Sequence, residues 1–250
     1  MNITGNTILI TGGSAGIGRA LAEVLQAEGN TVIVTGRREA ALKEVVAANP
    51  GMDHAVLDVS DADAIVAFGA RAARDWPALN VVIHNAGIMI AEDLTADAWD
   101  LGVAEDIIAT NLLGPIRLTA ALLPQLKAQQ NAAVVTVSSG LAFVPLAITP
   151  TYNATKAAIH SWSQSLRHQL KGSAIDVIEI APPAVATDLM PGHAENPNSM
   201  PLEAFIGEVV DLLKAHPQGP EILVERVKML RGAEASGNFD TVFGMLNGQH

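Results

Sequence analysis

A chain of 250 residues that is 49% hydrophobic can bury a full core, which excludes a disordered binder, and its length suits one domain better than two. With 26 acidic residues against 15 basic, a formal charge of −11 and no long basic tract, the chain is poorly suited to a polyanion, and no nucleic-acid partner is expected. The lack of cysteine excludes disulfides, a thiolate nucleophile and a thiolate metal site, and fits a reducing cytoplasm.

The opening MNITGNTILITGG has neither the basic segment nor the apolar core of a signal peptide, and no uninterrupted apolar run reaches the roughly 18 residues of a membrane span. A cytoplasmic protein without a membrane partner is therefore expected. TILI at 7–10 predicts the first strand, and TGGSAGIG at 11–18 follows it directly. Gly12, Gly16 and Gly18, with Ser14 and Ile17 between them, allow a sharp turn and a close backbone approach to a phosphate, whose charge meets amides at the start of the helix predicted for 19–28. No GK[ST] ending is present, so this is not the loop of a nucleotide hydrolase.

TVIV at 31–34 predicts strand two, followed by Gly36, Arg37 and Arg38. An NAD site usually carries an acid here for the adenosine ribose. Two guanidiniums instead suit a 2′-phosphate, so NADP(H) is the preferred cofactor and NAD(H) the alternative. After a helix at 39–48 and a strand at 54–57, Asp58 is placed to accept from an adenine amine, with Val59 beside the ring; the competing role for Asp58 is to cap a turn. A helix at 62–75 leads to the strand VVIH at 81–84, and Asn85, Ala86 and Gly87 bring the chain close to a cofactor. The next helix, 104–129, contains Asn111, whose buried amide must be satisfied and for which a water chain is one solution. It also contains Gly114-Pro115, which predicts a kink or break.

AVVTV at 133–137 ends in Ser138-Ser139, and a helix spans 152–170. Tyr152 and Lys156 lie one turn apart on one face of it, and the ammonium is expected to move the phenol toward a pH where it exchanges protons. DVIEI at 176–180 is the sixth strand. The polar loop 190–203, with three prolines, leads into a helix at 204–215 and a last short strand at 222–224. This alternation of uniformly apolar strands with helices predicts an α/β protein: one doubly wound Rossmann-type domain, a parallel sheet with helices on both faces, and the 190–215 segment as a cover for substrate.

Taken together, TGGSAGIG, HNAG at 84–87, Ser139 thirteen residues before the tyrosine, and YNATK resemble the short-chain dehydrogenase/reductase family over roughly residues 5–190. The resemblance implies hydride transfer between nicotinamide and a carbonyl or alcohol carbon, without metal. It implies Tyr152 as acid/base, Ser139 as the group holding the substrate oxygen, Lys156 as ribose ligand and phenol-lowering charge, and Asn111 as anchor of a proton-relay water. Ser138 is the competing serine. Two positions depart from the family pattern. His84 replaces an asparagine and reads as a packing residue, and Pro183 replaces a glycine in PPAVAT at 182–187, which alters the expected nicotinamide contact but leaves Pro182, Val185 and Thr187 as candidates. PPAVAT, ILVERVKMLR and FGMLN are similar to the bacterial DltE-like oxidoreductases.

LAFVPLAITP after Ser139 and Met89-Ile90 after HNAG offer apolar walls without a cation to clamp an acid. A neutral ketone, aldehyde or secondary alcohol is the expected substrate. A homo-oligomer is expected, with a dimer ahead of a tetramer, and the tail is a candidate subunit contact. The alternatives are an NAD-dependent alcohol dehydrogenase and a non-catalytic NADP(H)-sensing protein.

Overall fold

A computed structural model describes residues 1–192 and 194–248. Seven strands form one all-parallel sheet: β1 (Thr7–Thr11), β2 (Thr31–Gly36), β3 (Asp53–Val56), β4 (Val81–His84), β5 (Ala132–Val137), β6 (Ile175–Ile180) and β7 (Glu221–Ile222). They lie in the order β3-β2-β1-β4-β5-β6-β7. Because the order reverses between β1 and β4, their carboxyl ends open a crevice there.

The strands are apolar throughout because both faces are covered. On one face Ile8, Ile10, Val32, Val34 and Ile83 pack under α1 (Gly16–Ala27), α2 (Glu39–Ala48) and α7 (Leu202–Ala215). On the other, Leu9, Ile33, Val82 and Val134 meet Phe68 of α3 (Ala62–Asp75) and Leu118 and Leu122 of α5 (Gly114–Lys127). The expected doubly wound α/β unit is what forms. The chain closes with α8 (Lys228–Gly232) and α9 (Phe239–Asn247).

The helix expected at 104–129 begins earlier and does not break. α4 (Leu101–Ile108) runs into a π-helical turn, Ala109–Leu113, and then into α5. The widened bond runs from the Gly114 amide to the Ala109 carbonyl, and Pro115 beside it has no N–H to give the carbonyl of Asn111 four residues back. By length and mean hydropathy the stretch Leu101–Lys127 could cross a membrane. In this fold its second half is a core helix, with Leu118, Leu122 and Leu126 fully buried, while Leu101 and Ile108 are exposed.

Candidate active site

The crevice is lined first by the glycine loop. Gly12 and Gly16 take left-handed conformations, φ +67° and +52°, which a side chain rarely adopts. A Cβ on Gly18 would stand 2.3 Å from Asn85 Nδ2 and 2.4 Å from the Gly12 carbonyl oxygen, so only glycine lets α1 start this close to the β1 turn. The Asn85 amide donates to the carbonyls of Thr11 and Gly12, while the backbone amides of Asn85 and Ala86 both donate to Thr11 Oγ1. Asn85 therefore braces the loop. Among the described residues no side chain accepts from the first amides of α1, and its first turn has no acid. Free amides at a twelve-residue helix start beside a glycine cradle fit the diphosphate of a dinucleotide. Gly18→Ala is expected to lower the thermal midpoint by several degrees and to abolish dinucleotide binding, read by melting and by fluorescence titration.

Arg37 and Arg38 sit exposed at the end of β2, and among the described residues neither guanidinium forms an ion pair or hydrogen bond. Ser14 lies nearby, its Oγ 3.7 Å from the position of a Cβ on Gly36. Asp58 does cap a turn: its Oδ1 accepts from both the amide and the hydroxyl of Ser60. Burial works against its charge, but the Ser60 donors and the nearby Arg37 hold the carboxyl below its usual range. Val59 is buried against the start of α5, where a Cβ on Gly114 would stand 2.7 Å from its carbonyl oxygen.

The reacting groups come from β5 and α6 (Pro150–Gln169). Ser138 and Ser139 follow β5 on opposite sides of the chain. The Ser138 hydroxyl donates to Glu179, whereas Ser139 opens a 3-10 turn, accepts from the Leu141 amide at 3.1 Å and faces the Tyr152 phenol. The Ser139 proton thus stays available to an oxygen. α6 starts at Pro150 and is held by Glu92, which accepts from the Thr151 amide and hydroxyl one residue before Tyr152. Lys156 Nζ lies 5.5 Å from the centre of the Tyr152 ring and donates to the Val137 carbonyl at 2.8 Å.

Both groups are buried. Burial pushes the Tyr152 phenol up to about 12, against a pull from the Ser139 hydroxyl. Burial pulls the Lys156 ammonium down to about 8, with Glu179 acting in the opposite sense. The expected lowering of the phenol is thereby corrected: desolvation is the larger influence on it, and the Lys156 ammonium directs its proton at Val137.

Asn111 is satisfied without water on its side chain: Oδ1 accepts from the Ile88 amide and Nδ2 donates to the Ile88 carbonyl, each at 2.9 Å. A Cβ on Gly87 would lie 3.2 Å from Asn111 Oδ1 and 3.8 Å from Lys156 Nζ, so this glycine is where the β4 turn meets the lysine. His84 is a packing residue, bonded to Thr119 at 2.7 Å and pulled down to about 3 by burial, which keeps it neutral.

PPAVAT crosses from β6 toward the glycine loop. The Pro182 carbonyl accepts from the Gly140 amide at 2.8 Å, buried Val185 pairs with Met200, and the Thr187 methyl lies 3.5 Å from the position of a Cβ on Gly16. The Val185–Met200 bridge closes the neck of the 190–203 loop, of which His193 lies outside the described residues. Met190 at the base of the loop packs against the buried cluster of Met89, Ile107 and Tyr152, as do Ile88, Leu141 and Leu146. Not all of LAFVPLAITP joins this cluster. Val144 joins Ala233 and Val242 in a small core, and Asn247 of α9 holds the loop by accepting from Ala147 and donating to Pro145. Leu230, Phe239, Phe243 and Leu246 of the tail pack on this small core, while Met229 and Met245 stay exposed.

Sequence reasoning missed Glu92, Glu179 and Asn247. For Glu179 there was a signal, an acid at the fifth position of a strand whose neighbours Val177, Ile178 and Ile180 are all apolar.

Residues 6–198 match the family model described as short chain dehydrogenase. The uncharacterized oxidoreductase DltE of Bacillus subtilis is 42% identical over 253 residues, covering all of this chain and 99% of its own. A short-chain dehydrogenase structure from Streptomyces avermitilis superposes with a TM-score of 0.81 at 27% identity, over 97% of this chain and 96% of that one. A 3-oxoacyl-(acyl-carrier-protein) reductase from Agrobacterium tumefaciens with NADP bound gives 0.73 at 26% identity, over 82% and 86%.

Proposed function

Because the chain belongs to the short-chain dehydrogenase family, and so transfers hydride between a nicotinamide cofactor and a carbonyl or alcohol carbon, we propose a finer reading: it reduces neutral, largely apolar ketones and aldehydes with NADPH in the cytoplasm. The observation that carries this reading is the convergence of Ser139, Tyr152 and Lys156 beside the glycine loop, within a cluster of Met89, Leu141, Leu146 and Met190. When bound, NADPH supplies the hydride. Ser139 donates a hydrogen bond to the carbonyl oxygen, and Tyr152, whose phenol stays protonated at neutral pH, gives that oxygen its proton. Lys156, still cationic below about pH 8, stabilises the phenolate that remains.

The Asn111 carbonyl, left without an α-helical donor by Pro115, is suited to hold a water through which Tyr152 regains its proton. The free guanidiniums of Arg37 and Arg38 support NADPH, as does the NADP held by the Agrobacterium reductase. Oδ2 of Asp58, which no donor among the described residues reaches, suits an adenine amine. The 190–203 loop and α7 act as the cover over the substrate. A homodimer would bury the exposed Leu94, Trp99, Leu101 and Ile108.

The test is NADPH consumption with acetophenone, cyclohexanone and benzaldehyde across pH. Consumption is expected, with kcat/KM level below about pH 8 and falling above it as Lys156 loses its proton. Binding of NADPH without consumption of any of the three would favour a sensor, and tighter binding of NADH would overturn the cofactor reading.

A further inference from the structure

Glu179 stands at the fifth position of β6 and is 1% exposed, on the face of the sheet that α6 covers. A carboxylate taken out of water is costly unless donors and an opposite charge meet it. Two donors are in direct contact: the Ser138 hydroxyl on Oε1 and His160 Nδ1, 2.8 Å from Oε2. The opposite charge lies one helical turn before His160. Lys156, 5% exposed, shares that face of α6, and its ammonium is tied to the carbonyl of Val137, the residue that precedes Ser138.

We propose that Glu179 is a positioning residue for the reaction, the buried counter-charge that keeps Lys156 cationic beside Tyr152; this rests on the reading of Lys156 as the partner of the phenol. Ser138 and His160 aim the carboxylate, which explains why the serine next to Ser139 is turned away from the crevice. At the low effective dielectric of the interior, the charge of Glu179 acts on Lys156 far more strongly than it would in water. Arg231 also feels the charge of Glu179, but its nearest partner is a different acid. Glu221 on β7 is paired with Arg231 of α8 at 2.9 Å, and Arg167, farther along α6, donates to the carbonyls of Val177 and Pro220. Arg231 also covers Phe143, which meets His160 edge-on. His160 and Tyr152 are the remaining titratable groups on this face of α6. Glu179, His160 and Glu221 also have metal-ligand spacing, but each is already satisfied by a protein partner, which favours a charge network over a metal centre.

Tyr152 is the only tyrosine in the chain, so carbon-13 at its phenolic carbon gives a single NMR signal, and its shift reads the ionisation of Lys156, 5.5 Å from the ring. In the full-length protein this signal is expected to inflect near about pH 8. Glu179→Gln keeps the shape and removes the charge, and is expected to lower the inflection by about one pH unit. Glu179→Met removes the charge with an uncharged side chain of similar length and is expected to lower the inflection likewise; should Glu179→Gln fail to fold, this variant carries the test alone. An inflection unmoved or raised in Glu179→Gln, or in Glu179→Met, overturns the proposal. The signal needs neither NADPH nor a carbonyl. Failure here would leave the reductase reading intact, and failure of the reductase assay would leave this measurement intact.

Discussion

Tyr152→Phe is expected to lower carbonyl reduction about 1,000-fold while NADPH binding stays near wild type. The substitution removes one oxygen from a buried ring and leaves its packing against Met89 and Ile107 in place. What disappears is the proton donor. The phenol, held up to about 12, is in its acid form throughout the neutral range, and Ser139, an alcohol that already accepts from the Leu141 amide, is a far weaker acid. Single-turnover oxidation of NADPH in the presence of acetophenone, alongside a fluorescence titration of NADPH alone, separates chemistry from binding. Substantial retained turnover would remove Tyr152 as the acid. A joint loss of turnover and binding would point to damage at the cofactor end.

The double replacement Arg37→Ala/Arg38→Ala is expected to weaken NADPH binding by about 100-fold and NADH binding very little. Each guanidinium can give a charge-assisted hydrogen bond to a 2′-phosphate, and both are exposed, so water screens part of the gain and keeps the figure well below the sum of two buried contacts. Arg37 has a second influence, since it helps hold the Asp58 carboxyl below its ordinary range. Its loss should therefore touch NADH slightly as well. Paired titrations at two salt concentrations decide the matter: the NADPH penalty should shrink as salt rises, and equal losses for both dinucleotides would sink the 2′-phosphate reading.

Much of this molecule is legible as a string of letters. Strands that are apolar on both faces have one stable home, the middle of a parallel sheet, and the helical periods between them set the crossovers; the runs 39–48 and 62–75 match α2 and α3 end to end. The glycines of TGGSAGIG announce their geometry because two of them need φ above zero and a third has no room for a Cβ. The one-turn spacing of Tyr152 and Lys156 places them on one face whatever the rest of the chain does. Less legible was the π turn at Ala109–Leu113. Pro115 leaves a gap in the ladder that can be read locally, but whether a helix kinks, breaks or widens depends on what it is packed against.

The sequence by itself thus determined the fold class, the cofactor loop and the local pairings, since each follows from periodicity, backbone sterics or short-range spacing. Only the tertiary structure decided how the site is charged. Ionisation answers to burial and to neighbours from distant strands. Thus the phenol beside Lys156 rises instead of falling, Asn111 spends its side chain on Ile88, and a buried glutamate in β6 acts on the charge of Lys156. Desolvation and Coulomb energy depend on where the folded chain excludes water, and no spacing along the sequence records that.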